Sequence, residues 1–151
     1  MKEALEQARE ALAEGEAPIG AVTVRDGRII SRGRNRRRAL NDITAHAEMM
    51  CLRNLDGAIG GLSLAGVTVY STLEPCAMCA GALVHYGAAR VVYGAKDVKL
   101  GAAGSAFDIL GQGGIEAVGG ILETECRRIL EGFFEEELGR PSKAWEDIEL
   151  E

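Results

Sequence analysis

The chain has 151 residues, 47% of them hydrophobic and 26% charged, an ordinary globular composition with length enough for one domain spanning residues 1–151. No apolar run approaches a membrane span and the charged N-terminus has no apolar signal segment, so the expectation is a cytoplasmic protein with no membrane partner. The formal net charge of −6 is lopsided: residues 1–122 carry 13 basic and 13 acidic side chains, and residues 123–151 carry 4 and 10.

Residues 2–14 predict a helix with Leu5, Ala8 and Leu12 at helical spacing, stopped by Gly15 and Pro18. Ile19–Val24 reads as a strand, Asp26-Gly27 as a hairpin turn, and Arg28–Gly33 as the returning strand. Arg25, Arg28, Arg32, Arg34, Arg36, Arg37 and Arg38 crowd this stretch. A local basic rim of this kind can track phosphates even on an acidic protein, or it can simply solvate a hairpin. Residues 34–43 read as a polar loop, and Thr44 as the cap of a helix from about Ala45 to Leu55. Val67–Ser71 is a β-branched strand. Pro75 suits the first turn of a helix running to about Tyr86. Arg90–Gly94 is a further strand, and residues 95–114 are a Gly- and Ala-rich loop with a short helix. Ile115–Val118 is a weak fifth strand, Glu123–Leu138 a helix, and Pro141–Glu151 a tail with the only tryptophan, Trp145. The order predicts an α/β fold, a three-layer α/β/α sandwich around a mixed five-stranded sheet.

Two short motifs carry the chemistry: Thr44-Ala45-His46-Ala47-Glu48 and Pro75-Cys76-Ala77-Met78-Cys79. Catalytic zinc takes three protein ligands and leaves one position open. His46, Cys76 and Cys79 supply three. The two cysteines lie one helical turn apart at a helix start, where the dipole favours thiolates. Glu48 can reach the same pocket without joining the metal, which suits a proton shuttle beside a zinc-activated water. A lone Cys-x-x-Cys also serves in structural zinc knuckles and redox pairs. A structural site wants a fourth ligand, and His85, six residues past Cys79, is the only other histidine. Cys51 and Cys126 stand alone in apolar segments and read as buried, reduced thiols.

A His-x-Glu with a distant Pro-Cys-x-x-Cys resembles the zinc nucleobase deaminases of the cytidine deaminase superfamily. Within it the chain is most similar to the bacterial tRNA adenosine deaminases. Thr72-Leu73-Glu74-Pro75-Cys76-Ala77-Met78-Cys79-Ala80-Gly81-Ala82 and the loop Lys99-Leu100-Gly101-Ala102-Ala103-Gly104-Ser105 carry that likeness. The resemblance implies one Zn²⁺ per chain, a homodimer, and a substrate base held by Asn35, by the backbone around Ala47 and by an apolar wall near Ile19. Three passages depart from the tRNA pattern: Asp42-Ile43 before Thr44, Gly111-Gln112-Gly113-Gly114 before the last strand, and the acidic run Glu135-Glu136-Glu137. The end of the chain, Arg140-Pro141 to Ile148, instead resembles fungal-type cytosine deaminases. In those, C-terminal aromatic and acidic residues close over a small base, a role that falls here to Trp145 and Asp147. Three readings follow. The first is a deaminase of the wobble adenosine in a tRNA anticodon loop. The second is a deaminase of a free base or nucleoside (cytosine, guanine or adenine). The third is a zinc-stabilised binding module without catalysis.

Overall fold

The computed structural model describes residues 1–55, 57 and 61–138. In chain order the elements are α1 (Lys2–Ala13), β1 (Gly20–Arg25), β2 (Arg28–Arg34), α2 (Arg37–Leu40), α3 (Ala47–Arg53), β3 (Thr68–Leu73), α4 (Ala77–His85), β4 (Arg90–Ala95), α5 (Ile109–Gln112), β5 (Glu116–Val118) and α6 (Glu123–Leu138). The five strands form one sheet in the order β2-β1-β3-β4-β5. β1 runs antiparallel to β2 and β3, while β3, β4 and β5 are mutually parallel. Helices α1 and α6 pack on one face and α3, α4 and α5 on the other, the mixed three-layer sandwich expected from the sequence.

Each face has its own core. Val67, Val69, Leu83, Val91, Leu110 and Ile115 fill the space under α4 and α5. Leu5, Ala95, Cys126 and Leu130 fill the space under α1 and α6. Helix α1 buries Ala4, Leu5, Ala8 and Ala11, whereas Leu12, expected on the buried face, is 38% exposed. The small side chains matter because α1 lies almost on the backbone of β1. A Cβ on Gly20 would run into the backbone of Ala4 and Ala8, and one on Gly33 into that of Ala47 and Cys51. Two glycines thus let a helix approach the sheet closely on each side.

The hairpin turn has positive φ at both Asp26 and Gly27, as a two-residue type I′ loop requires. The polar loop after β2 contains the single-turn α2, which the sequence did not announce. Thr44 does not cap α3. Its hydroxyl donates to Asp42 Oδ1 at 2.7 Å and accepts from Arg53, so it is spent on the loop. The helix starts two residues later, with His46 at the N-cap in extended conformation. Pro75 likewise stands just outside α4, whose N-cap is Cys76.

Three of the seven arginines in this stretch are ion-paired within the fold. Arg32 pairs with Glu3, Arg34 with Glu10 and Glu14, and Arg36 with Glu14. The carboxylates of Glu3 and Glu10 in α1 and of Glu14 at its C-cap hold β2 and the chain after it against the first helix, so these three cations serve the hairpin more than a phosphate backbone. Arg34 holds the Glu14 carboxyl below its ordinary value by donating to it.

The close contact at Gly20 makes a stability prediction. Gly20→Ala should destabilise the protein by about 1–3 kcal/mol through overpacking against α1, read as a lower urea midpoint at unchanged slope.

Candidate metal centre

The strands β2, β3 and β4 all end at the same edge of the sheet, because β2 and β3 each run antiparallel to β1 and β4 runs parallel to β3. The chain leaving each strand therefore converges there. Asn35 follows β2, Glu74 and Cys76 follow β3, and Asp97 to Leu100 follow β4. His46 and Glu48 arrive with the start of α3.

His46 and Cys76 are both N-cap residues with extended backbone, and neither side chain caps its helix. Both turn instead toward Cys79, in the first turn of α4. His46 Nδ1 lies 3.6 Å from Cys76 Sγ and 3.7 Å from Cys79 Sγ, and the two sulfurs are 3.8 Å apart. Tetrahedral zinc, with Zn–S of about 2.3 Å and Zn–N of about 2.0–2.1 Å, spaces two sulfurs about 3.8 Å apart and sulfur from nitrogen about 3.5–3.6 Å apart. The triangle thus has the dimensions of one face of a zinc tetrahedron. Among the described residues it is the one cluster of this kind able to hold a metal ion. His85 is not part of it; it packs edge-on against Tyr86 at the far end of α4.

The charges agree with a cation site. Contact with the Cys79 thiol and with His46 brings the Cys76 thiol down to about 4. Cys76 in turn, together with burial and the Glu48 charge, pushes the Cys79 thiol up. His46 is raised, chiefly by its contact with Cys76. A divalent cation relieves this crowding by letting both sulfurs ionise.

Glu48 stands beside the triangle, 4% exposed. Its Oε1 accepts from the Ser71 hydroxyl at 2.9 Å, and its Oε2 lies 3.5 Å from Cys79 Sγ. Burial raises its carboxyl above the ordinary carboxylate range, so it can hold a proton where an exposed glutamate would not.

The cluster opens into a cavity of about 310 Å³. His46, Ala47, Glu48 and Cys76 form its floor, and Ala17, Ile19, Leu73, Leu100, Leu130 and Phe134 give apolar walls. Asn35, Arg37, Glu74, Asp97 and Lys99 supply its polar groups. Asn35, Ala47 and Ile19 are therefore together with the His46–Cys76–Cys79 triangle. Trp145 and Asp147 lie outside the described residues.

Several participants were given no role by the sequence. Glu74 is 2% exposed and accepts from the backbone N–H groups of Asp97, Ala103 and Ser105 at 3.1, 2.9 and 3.2 Å, and from the Ser105 hydroxyl. It therefore fastens the Lys99–Ser105 loop to the connection between β3 and α4, two residues before Cys76. Leu130 and Phe134 reach the cavity from α6, far off in sequence. Ser71 reads as one more strand residue until its hydroxyl is seen on Glu48.

Residues 1–95 match the family profile of the cytidine and deoxycytidylate deaminase zinc-binding region. The chain belongs to this deaminase family. It is 44% identical over 140 residues to the tRNA-specific adenosine deaminase of Bacillus subtilis, a match covering 90% of this chain and 87% of that protein. It is also 44% identical to a solved structure from work on A-to-I editing by tRNA:A34 deaminases at the wobble position of transfer RNA. That likeness covers 86% of this chain and 97% of the other, with a TM-score of 0.81. A guanine deaminase structure from Bacillus subtilis is 38% identical, with a TM-score of 0.61, covering 71% of this chain and 68% of the other. The deaminase is thus a zinc-dependent hydrolase of a nucleobase amine.

The thiols can be read separately in solution. Cys51 and Cys126 are fully buried, and burial pushes both thiols up, Cys126 to about 11. Zinc-loaded deaminase should resist iodoacetamide. After chelation Cys76 should react first, as located by peptide mass mapping. Its thiolate persists above about pH 4, so its rate should be nearly flat from pH 6 to 8. An ordinary thiol of pKa ~8.5 would accelerate by close to two orders of magnitude over that range.

Proposed function

We propose that the deaminase converts the wobble adenosine of a tRNA anticodon loop to inosine, within one catalytic domain spanning residues 1–151. What carries this reading is a zinc-sized His46–Cys76–Cys79 triangle beside the buried carboxyl of Glu48, at the floor of one nucleoside-sized cavity. The tRNA-specific relative matched over nine-tenths of this chain supports the choice of substrate. So does the Lys99–Ser105 loop, whose Lys99 and Leu100 line the cavity.

His46, Cys76 and Cys79 would hold the zinc, which when bound supplies a water molecule activated as a nucleophile at neutral pH. The target base must leave its stack to enter so narrow a cavity. Ile19, Leu73, Leu130 and Phe134 then provide apolar surface for the ring and exclude bulk water. Glu48 accepts a proton from the attacking water and gives it to the ring nitrogen beside the reacting carbon. A second proton passes by the same carboxyl to the exocyclic amine. The carbon–oxygen bond forms, the carbon–nitrogen bond breaks, and ammonia leaves with inosine as product. The Ser71 hydroxyl holds Oε1 and leaves Oε2 facing the cluster.

A second reading, deamination of a free base, draws on the guanine deaminase likeness and on a cavity at the small end of the ~300–1,000 Å³ range of ligand pockets. Inosine analysis on an anticodon stem-loop, with ammonia release from cytosine, guanine, adenine and adenosine run in parallel, separates the two. Turnover of free bases alone would sink the tRNA reading. Glu48→Gln should keep one zinc per chain and lose at least about a hundredfold in kcat, the usual worth of a positioned proton shuttle. Unchanged turnover would remove Glu48 from the mechanism.

The homodimer belongs to the same proposal. Met78, Tyr86 and Leu62 are 36, 40 and 84% exposed, and Met49, Leu52, Leu62 and Tyr86 border one surface hollow beside α3 and α4. An apolar patch of this kind suits a second copy of the chain. Tyr86→Asp should shift sedimentation equilibrium from dimer to monomer, and an unshifted mass would place the interface elsewhere.

A further inference from the structure

Glu16 has no part in the metal cluster, yet it is 1% exposed in the short connection between α1 and β1. A carboxylate so deeply buried is costly unless its oxygens are satisfied. Oε1 accepts from the backbone N–H of Ala39 at 2.8 Å, and Oε2 accepts from Asn35 Nδ2 at 3.1 Å. Asn35 is itself buried, 5% exposed, and its backbone N–H donates to the Ile19 carbonyl at 3.0 Å. Both ends of the residue are thereby fixed, and it still lines the substrate cavity beside Ile19.

The chemistry of the pair has a direction. An ionised carboxylate only accepts, so the NH₂ end of the Asn35 amide must face Glu16. The amide cannot turn over without placing its own oxygen against a carboxylate. We propose that Glu16 is a positioning residue that locks the Asn35 amide, so that Oδ1 stays available to a hydrogen-bond donor of the substrate, such as a sugar hydroxyl. Substrate specificity is then set partly by a residue that never touches the substrate. The inference rests on the deaminase reading above for the identity of that substrate, while the lock itself does not.

The substitution Glu16→Gln reverses the lock. The N–H of Ala39 needs an acceptor, so the oxygen of the new amide stays there and its NH₂ faces Asn35. Asn35 then turns over, giving Oδ1 to position 16 and an N–H to the cavity. Adding Asn35→Asp restores an oxygen on both sides: one carboxylate oxygen accepts from position 16 and the other faces the cavity.

The test compares native protein, Glu16→Gln and Glu16→Gln with Asn35→Asp, all zinc-loaded. Steady-state kinetics use an anticodon stem-loop, binding uses the same stem-loop carrying inosine, and NMR follows the Asn35 side-chain NH₂. In Glu16→Gln the Asn35 NH₂ resonances should move. KM and the product Kd should rise about tenfold, the cost of one mismatched buried hydrogen bond, with kcat within about threefold and zinc content unchanged. The double variant should regain most of the lost affinity. Unmoved Asn35 resonances, an unchanged KM, or a double variant no better than the single one would each overturn the proposal. Should Glu16→Gln alone not fold, the double variant decides: native-like KM supports the lock, and its absence ends it. If the native protein leaves the stem-loop unmodified, the tRNA reading fails, while the NMR comparison still judges the lock.

Discussion

Everything at the site depends on three candidate ligand atoms, His46 Nδ1, Cys76 Sγ and Cys79 Sγ, meeting at 3.6 to 3.8 Å from one another at the starts of two helices. Side chains alone cannot arrange this; the helix starts must be brought together first. The sheet does so by ending β2, β3 and β4 on the same edge, so that α3 and α4 begin there from opposite sequence positions. The close packing permitted by Gly33 then fixes α3 against the sheet. His46 and Cys76 become N-caps, positions where the backbone is still extended and a side chain is free to leave the helix axis. The usual capping hydrogen bond is forgone, and the N–H ends of both helices lie near the sulfur cluster, where they favour the Cys76 thiolate.

Three buried glutamates surround this centre, and they divide its tasks. Glu74 spends Oε1 on the backbone of Ala103 and Ser105 and Oε2 on the Asp97 N–H and the Ser105 hydroxyl, and so tethers the 97–105 segment to the connection between β3 and α4. Glu16 spends both on Asn35 and Ala39 and organises the opposite wall. Glu48 gives one oxygen to the Ser71 hydroxyl and turns the other to the metal triangle, 3.5 Å from Cys79 Sγ. Buried carboxylates saturated by donors are structural mortar. A buried carboxylate with one oxygen turned to a metal cluster, and not fixed by backbone donors, is suited to proton transfer, because desolvation makes its proton worth holding.

The chemistry was legible in the sequence because metal ligation demands specific residue types at specific spacings. His46, Glu48, Cys76 and Cys79 stood out on those grounds, as did the sheet, whose strands are marked by β-branched runs and by Asp26-Gly27. What remained hidden was either non-local or carried by residues with more than one ordinary use. Glu16 and Glu74 look like surface charges until their burial is known. Phe134 looks like a core residue of α6. Thr44 has the sequence of a cap, but Asp42 and Arg53 compete for its hydroxyl and win, since together they offer it two partners. The arginine row shows the same limit. Its density invites a nucleic-acid reading, and only the register of α1 against β2 reveals that Arg32, Arg34 and Arg36 already have carboxylate partners.

That neutralisation bears on how a polyanion could be received. With Arg32, Arg34 and Arg36 paired, the cations that line the cavity are Arg37, at the start of α2, and Lys99, in the loop after β4. A cavity flanked by two cations and walled by Ile19, Leu100 and Phe134 favours a single extruded nucleotide over a broad duplex surface, since affinity from counterion release grows with the number of phosphates neutralised. Few phosphate contacts then leave discrimination to the cavity itself. The acidic end of α6, with Glu135 and Glu136 exposed, works in the same direction by weakening nonspecific adhesion beside the site. Specificity in this deaminase therefore belongs to the short-range polar groups inside the cavity, where the orientation of one buried amide can decide which ligand edge is accepted.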